Sequence, residues 1–335
     1  MARQAPTNAT ARSKVDDRYG CVGLPACSGC LKYNAVFRFG EPLHYCRGPG
    51  PDQGTIMAQL TNTVAVVTGG GRGIGREIAL QQARNGARVA VLARTGMEID
   101  ETVSLIKSDG GTAIPLVVDV TDYDDIERAL ASVAAELGPI DILVNNHGSF
   151  QAFGPIWDCD PTTWWRDVEI NLRGTFHTCR AASPAMLARG KGRIVNLVGG
   201  GTGNSFPNGS GYASSKAAVM RLTECLNDTT IARGVLTFAV DPGLVRTAMT
   251  ETQLSSEAGK LYLPGIQQLF DDGVDIDPSR AVLLIVDIAA GRFDVLAGRL
   301  LRGIDDRDKL ELEMNDVILA DGRALRFSSV GQEKL

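Results

Sequence analysis

Short apolar runs alternate with longer amphipathic segments along the chain from Thr63 to about residue 305. The apolar runs are rich in Val, Ile and Leu and end at turn-forming residues, which is typical of buried strands. Because strands that alternate with helices at this spacing pair in parallel, the sequence predicts a parallel sheet with both faces covered. The predicted strands are 64–67, 88–92, 113–118, 140–144, 193–198 and 235–240, with a last strand near Leu300.

The segments between these strands have helical periodicity and stop at glycine or proline. The chain is therefore predicted to be of the α/β class, with a doubly wound, Rossmann-like parallel sheet flanked by helices on both faces. Sheets of this kind bind ligands in the crevice beyond the carboxyl ends of their strands. The predicted helices are 76–85, 98–108, 124–137, 162–189 and 212–233, the fourth being long.

Composition divides the chain into three parts. Residues 1–56 hold four of the seven cysteines, carry seven Lys/Arg against four Asp/Glu and show no sustained periodicity. We interpret them as an N-terminal extension, either a flexible tail or translated sequence upstream of a natural start at Met57. Residues 57–305 are the predicted Rossmann-like domain, and residues 306–335 are a predicted C-terminal tail.

Several potential metal ligands lie close together in this extension. Cys27 and Cys30 have the C-x₂-C spacing of zinc ligands, whereas His44 and Cys46 are separated by one residue and do not form a matching second pair. A zinc knuckle that also uses Cys21 is the alternative to a flexible tail. We favour the tail and predict no metal site.

The bulk composition argues against two classes of partner. A net charge of −5 disfavours a general nucleic-acid binder, which presents a basic surface. No apolar run approaches the ~20 residues that span a membrane, and the N-terminus lacks the apolar core of a secretory signal. We therefore expect a cytoplasmic protein with no nucleic-acid or membrane partner.

A glycine-rich turn directly follows the first strand and leads into the first helix. Glycines let backbone N–H groups approach a pyrophosphate, which then lies at the helix N-terminus. The pattern G-x-G-x-x-G fails because Ile74 occupies its last position, whereas T-G-x-x-x-G-x-G fits. A purely structural turn is the alternative, but the position between a buried strand and a helix favours a dinucleotide site. Its predicted ligands are Thr68, Gly69, Arg72, Gly73, Ile74 and Gly75.

The end of the second strand distinguishes between the two nicotinamide cofactors. An acidic residue there would bond the ribose hydroxyls of NAD, but Ala93 and Arg94 stand in its place. Arg72 supplies a second cation. A guanidinium pairs with a phosphate through two hydrogen bonds, and no carboxylate stands at this strand end to repel it. We predict that NADP(H) is preferred and NAD(H) possible; the alternative is that both arginines are solvated surface.

Tyr212 and Lys216 are four residues apart at the start of the helix after the fifth strand, so they lie on one helical face. An ammonium close to a phenol lowers the pKa of the phenol from its ordinary value near ~10. Tyr212 is then able to exchange a proton with a carbonyl or alcohol oxygen while hydride moves to or from nicotinamide.

The glycine turn and the Tyr-x-x-x-Lys pair, in this order and separation, resemble the short-chain dehydrogenase/reductase family over about residues 60–305. The resemblance implies that Asn171, the helical asparagine of the family's proton relay, joins Tyr212 and Lys216 as a catalytic residue. Tyr212 and Lys216 also contact the cofactor in this family. His147 stands where the family has alanine, and we interpret it as a tolerated substitution. Further cofactor-binding positions implied by the resemblance are Asp119, Val120, Asn145, Gly148, Pro242, Gly243 and Thr247.

One position departs from the family. Thirteen residues before Tyr212, where the family has a serine that hydrogen-bonds the substrate oxygen, this chain has Gly199, and a shift of one residue restores no hydroxyl. Either a nearby hydroxyl (Thr202, Ser205 or Ser210), a backbone N–H or water replaces the serine, or the chemistry is impaired. Loss of one such donor typically costs ~10²–10³ in rate.

The resemblance implies an NADP(H)-dependent oxidoreductase of the carbonyl reductase or alcohol dehydrogenase type, acting on a small-molecule carbonyl or alcohol. Phe150, Phe153, Trp157 and Phe206 follow the strand ends and favour a medium-sized apolar substrate. Gly199 motivates the alternative, a catalytically impaired NADP-binding regulatory or scaffold protein.

The family commonly pairs subunits through the long helices before and after the fifth strand, here 162–189 and 212–233. Short alanines at near-helical spacing in the second helix permit a close approach, although some of them must pack on the sheet. A two-fold pairing buries the same patch twice. We therefore expect a homodimer, or a homotetramer built from dimers.

Overall fold

The protein is described here by a computed structural model that covers residues 59–326. Seven parallel strands form one sheet, and the predicted parallel sheet is confirmed. The strands are β1 Val64–Thr68, β2 Arg88–Ala93, β3 Thr112–Val117, β4 Ile142–Asn145, β5 Gly192–Leu197, β6 Val235–Asp241 and β7 Leu300–Arg302. Their spatial order, β3-β2-β1-β4-β5-β6-β7, reverses direction between β1 and β4. Ligands of such sheets bind at this switch point.

Helices cover both faces of the sheet, as predicted. Between β6 and β7 the chain adds three short helices and one longer helix, and another helix follows β7. The helices are α1 Gly73–Arg84, α2 Gly96–Ser108, α3 Tyr123–Glu136, α4 Pro161–Val168, α5 Gly174–Arg189, α6 Ser210–Thr230, α7 Ala248–Ser255, α8 Glu257–Tyr262, α9 Gly265–Asp271, α10 Pro278–Ala290 and α11 Arg307–Leu319.

The sheet separates two apolar cores. Ala65 and Val67 of β1 belong to the core shared with α1, α2 and α10, whereas Val64 and Val66 belong to the core shared with α3 and α5. Successive side chains of a strand point to opposite faces. Because both faces are covered, β1 is buried along its whole length and carries no alternating polar residues, which explains its continuous apolar run in the sequence.

The long helix predicted over residues 162–189 is present, but one of its turns is not α-helical. The Asp160 side chain accepts a hydrogen bond from Thr163 N at 2.7 Å and caps α4, which begins at Pro161. A single π-helical turn, Glu169–Arg173, then separates α4 from α5. Such turns insert one extra residue in a helix and occur frequently at functional sites. Here the inserted turn contains Asn171.

The chain continues past residue 305 into α11, which packs against the core beneath α1 and α10. The Asp306 side chain accepts hydrogen bonds from Asp308 N and Lys309 N at 3.0 Å each and caps this helix. Leu310 is 2% exposed and belongs to the apolar core. After α11, the carbonyl oxygen of Arg323 accepts a hydrogen bond from Leu300 N of the edge strand β7 at 2.8 Å.

Some predictions fall outside residues 59–326. The N-terminal extension with Cys21, Cys27, Cys30, His44 and Cys46 lies there, and so do residues 327–335. Among the described residues no helix is long and apolar enough to cross a membrane. Nor do His, Cys, Asp and Glu side chains of these residues form a group of three that could hold a metal ion.

We predict that Leu310→Ala lowers the free energy of unfolding by ~2–5 kcal/mol, because the change leaves a cavity in the core beneath α11. Urea denaturation followed by circular dichroism measures this loss. Leu312→Ala is the matched control, since Leu312 lies on the same helix with 80% of its surface exposed. The control should change stability by no more than about 0.5 kcal/mol. Equal effects of the two changes would contradict the packing of α11 on the core.

Candidate active site

A cleft of about 440 Å³ opens at the carboxyl ends of the strands, on both sides of the switch point between β1 and β4. The glycine turn after β1 forms one wall, and the first turns of α6 and α7 form the other. The cleft therefore brings together residues that are far apart in the sequence. The predicted site residues that line it are Gly69, Arg72, Gly73, Ile74, Gly75, Arg94, Asp119, Val120, Gly148, Tyr212, Lys216, Pro242 and Thr247.

Three predicted cofactor-binding residues lie behind the cleft wall. Thr68 is fully buried, and its Oγ1 is 2.7 Å from His147 Nδ1. The Asn145 amide donates to Asn196 Oδ1 at 2.8 Å and so joins β4 to β5. Gly243 has φ +80°, and a Cβ there would press on Ile276. These residues fix the loops that form the cleft and do not themselves face it.

The glycine turn needs its glycines for close backbone packing. A Cβ at Gly75 would overlap both the carbonyl oxygen of Gly69 and the amide nitrogen of Asn146. Asn146 Nδ2 donates to the carbonyl oxygens of Thr68 and Gly69 at 3.1 and 3.0 Å. Arg72, the N-cap of α1, makes no side-chain capping hydrogen bond. The turn therefore combines a tight backbone with an uncapped helix N-terminus, the arrangement that suits a pyrophosphate.

The two arginines predicted to bind a phosphate both line the cleft. Among the described residues Arg94 makes no ion pair. A carboxylate reaches the same part of the cleft from α2, where Glu98 Oε1 lies 3.2 Å from Arg72 Nη1. No carboxylate stands at the end of β2, as expected. Glu98 nevertheless brings a carboxylate from α2 into the same cleft. Glu98 was not predicted, because its contact with Arg72 depends on the packing of α2 against the glycine turn.

Tyr212 and Gly199 are in direct contact. Tyr212 lies in the first turn of α6 with its ring stacked on Phe150, at a centroid separation of 4.6 Å and an angle of 15°. A Cβ added at Gly199 would overlap the Tyr212 hydroxyl oxygen. The phenol of Tyr212 therefore occupies the space that a serine at position 199 needs for its side chain.

The hydroxyls that the sequence offers as replacements are oriented elsewhere. Thr202 Oγ1 donates to the carbonyl oxygen of Gly199 at 2.6 Å and so closes a local turn. Ser210 Oγ accepts a hydrogen bond from Trp164 Nε1 at 3.0 Å. Ser205 is exposed. None of the three hydroxyls therefore takes the place of a serine at position 199.

Lys216 lies one helical turn after Tyr212 and is 4% exposed. Its Nζ donates to the carbonyl oxygen of Leu197 at 2.9 Å and lies 5.7 Å from the centroid of the Tyr212 ring. A Cβ at Gly148 would lie 3.6 Å from this nitrogen. The ammonium is thus held at the inner end of the cleft, where the loop after β4 and helix α6 meet.

Asn171 connects that loop to α6 from behind. Its side-chain amide accepts from Ser149 N at 2.7 Å and donates to Ser149 O and Ser215 Oγ at 2.9 Å each. Asn171 is fully buried and does not line the cleft, while the neighbouring Gly148 does. All hydrogen-bonding groups of the amide thus fix the position of the loop relative to Tyr212 and Lys216.

Burial shifts both members of the Tyr-x-x-x-Lys pair towards their neutral forms. It lowers the pKa of Lys216 to about 8, against an opposing effect of Asp241. It also raises the pKa of Tyr212 above its ordinary value, and the carboxylates of Asp241 and Asp167 add to this rise. The expectation that Lys216 lowers the pKa of Tyr212 is therefore wrong, since burial raises this pKa. Tyr212 stays protonated at neutral pH, the form that donates a proton.

His147 lines the cleft, but its ring is bonded within the cleft wall. Burial lowers its pKa to about 3, and the charge of Lys216 contributes to the shift. The neutral imidazole bonds Thr68 through Nδ1. Its other nitrogen lies 3.5 Å from Thr175 Oγ1. A ring that stays neutral and partnered within the wall agrees with the interpretation of His147 as a tolerated substitution.

The side of the cleft beyond Tyr212 is apolar. Phe150 packs edge-on against Phe153 and Phe206, at centroid separations of 4.9 and 5.4 Å. Buried side chains from the segment that carries α7, α8 and α9 complete this cluster. Trp157, which the sequence also assigned to the pocket, is 86% exposed and lies outside it.

Taken together, the sheet, the glycine turn at its switch point and the Tyr–Lys pair across the cleft define a Rossmann-fold oxidoreductase. The family model of the short chain dehydrogenases matches residues 63–258. The chain belongs to this family. As a member, it is an enzyme that acts on alcohol or carbonyl groups with a nicotinamide cofactor.

Known proteins resemble the chain over most of the described region. A short chain dehydrogenase of Pseudocercospora fijiensis is 37% identical over 210 residues, which cover 62% of this chain and 68% of the relative. The actinorhodin polyketide ketoreductase with NADPH has a TM-score of 0.66 and 28% identity, covering 74% of this chain and 97% of the other. An NAD⁺-bound xylitol dehydrogenase has a TM-score of 0.66 and 25% identity, covering 72% and 98%.

Proposed function

We propose that the protein is an NADP(H)-dependent oxidoreductase that interconverts a carbonyl compound and its alcohol, with Tyr212 as the acid and base. The observation that carries this proposal is the single cleft lined by the glycine turn, Arg94, Tyr212 and Lys216. A dinucleotide extended along this cleft would have its phosphates at the turn and its reactive ring beside Tyr212.

The residues of the cleft fit the cofactor. The glycine turn would hold the pyrophosphate, Arg94 and Arg72 the 2′-phosphate, and Pro242 and Thr247 the nicotinamide carboxamide. When bound, the nicotinamide supplies or accepts the hydride. Of the two solved structures described above, one contains NADPH and the other NAD⁺. The preference proposed here therefore rests on this chain's own arginines.

Tyr212 is suited to donate the proton in carbonyl reduction. Its phenol is protonated at neutral pH, and its hydroxyl lies beside Gly199. Because Tyr212 lines the cleft, a substrate oxygen could approach this hydroxyl there. Lys216 holds positive charge close to the phenolate that forms and thereby favours proton release. Asn171 fixes the loop through Gly148, and we propose that it supports the proton relay through the position of this loop and not by direct contact with the substrate.

The apolar cluster around Phe150 supports an apolar substrate of medium size. Aromatic rings bind apolar groups by burial and by stacking, and Phe153 and Phe206 extend this surface away from Tyr212. The carbonyl or hydroxyl of the substrate would face Tyr212, and the rest of the molecule would contact the rings.

A second function is favoured by one observation, the glycine at position 199. Without a serine hydroxyl there, the chain would be a catalytically impaired NADP-binding regulatory or scaffold protein. Binding of NADPH without turnover of any substrate would support this alternative.

We predict that the full chain oxidises NADPH in the presence of apolar aldehydes or ketones, and that Tyr212→Phe removes this turnover. The substitution deletes the proton donor but keeps the ring that stacks on Phe150, so NADPH affinity should change little. Absorbance at the nicotinamide band across a carbonyl panel measures turnover, and fluorescence titration measures binding. Full activity of Tyr212→Phe would contradict the proposed mechanism.

The contact between Gly199 and Tyr212 generates a second prediction. Gly199→Ala and Gly199→Ser should both lower turnover, by ~10²-fold, because an added Cβ displaces the phenol from its reactive position. NADPH affinity should change little, since Gly199 is not among the residues that line the cleft. The alanine variant is the control for added bulk without a hydroxyl. A gain of turnover in Gly199→Ser alone would show that a missing hydroxyl, and not the position of Tyr212, limits the enzyme.

We further propose that the chain forms a homodimer through α4, α5 and α6. These helices form a concave apolar surface that bounds a pocket of about 880 Å³, to which Trp165, Leu172, Phe176 and Leu222 contribute. Trp165 and Phe176 are 65% and 47% exposed. Exposed apolar patches of this kind usually mark protein interfaces, and a two-fold pairing would cover the same patch on both subunits.

Light scattering on the full chain at micromolar concentration should therefore give at least a dimer. Phe176→Glu should shift the protein to a monomer, because it introduces a charge into the apolar surface. Met97→Glu is the control, since Met97 is 83% exposed on α2 and lies outside this surface. A monomeric unmodified protein would contradict the proposal.

A further inference from the structure

Helix α2 packs against the outside of the glycine turn. Thr102 Oγ1 lies 3.1 and 3.2 Å from the carbonyl oxygens of Gly70 and Gly71. A Cβ at Gly71 would lie 2.8 Å from the Cβ of Glu98. Glu98, Glu101 and Thr102 share one face of the helix because residues three and four apart are neighbours. The side chains of this face therefore lie directly beside the turn that is proposed to bind the cofactor phosphates.

Two acidic residues of this face pair with two arginines of the turn and of α1. Arg76 pairs with Glu101 at 2.6 Å and also donates to the carbonyl oxygen of Gly71 at 3.0 and 2.6 Å. The Arg76 side chain is 22% exposed, and neither Arg76 nor Glu101 lines the cleft. Arg76 therefore contacts the back of the turn, while the Glu101 side chain is 61% exposed and makes no hydrogen bond to the turn itself.

The pair of Arg72 with Glu98 has different surroundings. Both residues line the cleft, and their side chains are 66% and 31% exposed. The 3.2 Å contact between Glu98 Oε1 and Arg72 Nη1 is the ion pair that Arg72 makes within the described part of the chain. An incoming phosphate would find this guanidinium already engaged by a carboxylate, while Arg94, which also lines the cleft, makes no ion pair with a described residue.

We infer that Glu98 is a specificity-determining residue that competes with the 2′-phosphate of NADP(H) for Arg72. This inference rests on the proposed function in taking that phosphate to bind between Arg72 and Arg94. A phosphate beside Arg72 must displace or share the Glu98 carboxylate, and the two like charges repel each other. Arg94 would bind the phosphate without breaking an ion pair, because the nearby Asp119 carboxylate is paired with Arg166. Glu98 therefore reduces the preference for NADPH over NADH that the two arginines create.

NADH is the natural reference ligand for this effect. It carries a hydroxyl in place of the 2′-phosphate, so it leaves the pair of Arg72 with Glu98 undisturbed. Removing the negative charge of Glu98 should therefore strengthen the binding of NADPH alone. If Glu98 instead accepted a hydrogen bond from the ribose of NADH, the same change would weaken NADH binding, which is the opposite sign.

The test compares Glu98→Gln with Glu101→Gln in the full chain by fluorescence titration of NADPH and NADH, a readout of binding that needs no turnover. Glutamine keeps the shape and removes the charge. We expect Glu98→Gln to tighten NADPH binding about two- to fivefold, the range of one exposed ion pair, with NADH affinity unchanged. Glu101→Gln, which removes an equivalent charge behind the turn, should alter neither affinity.

The Arg72→Ala background tests whether the effect passes through Arg72. There, Glu98→Gln should give a smaller gain in NADPH affinity, and an undiminished gain would overturn the competition. Weaker binding of NADPH or NADH in Glu98→Gln would also overturn it, as would equal effects of both glutamine variants. The proposed function is tested separately by the unmodified protein. If that protein binds NADH more tightly than NADPH, the proposed preference for NADP(H) is contradicted.

Discussion

The hydrogen bonds that join the ends of β1 and β4 are the contact on which the rest of the site depends. Asn146 Nδ2 bonds the carbonyl oxygens of Thr68 and Gly69 across the point where the strand order reverses. They hold the loop after β4 against the glycine turn, and Gly75 must lack a side chain for the two to approach. These hydrogen bonds fix the position of the turn relative to the loop at Gly148, and this position sets the width of the cleft.

Burial at the inner end of the cleft governs the chemistry that the site can perform. It favours the neutral forms of Tyr212 and Lys216 alike, since the raised pKa of the phenol and the lowered pKa of the ammonium have the same cause. The Lys216 nitrogen donates to the carbonyl oxygen of Leu197 and lies 5.7 Å from the centroid of the Tyr212 ring. Charge brought into such an environment acts more strongly than it does in water.

The sequence was sufficient where a structural feature depends on neighbouring residues. The strand over residues 64–67 could be predicted because its residues are continuously apolar. Tyr212 and Lys216 could be placed on one face from helical spacing alone. The π turn was not predicted, and the hydrogen bonds of its Asn171 join it to the loop after β4, which is distant in the sequence. The same applies to Glu98 and to the phenol beside Gly199, because these contacts join segments whose distance no local pattern records.

The carbonyl oxygen of Arg323 bonds the backbone of β7, the outermost strand of the sheet. An edge strand without such a cover presents free N–H and C=O groups to other chains. β7 is synthesised about twenty residues before Arg323, so the strand exists before the residue that covers it. A chain that stops before α11 would leave this border of the sheet uncovered and would therefore be exposed to aggregation.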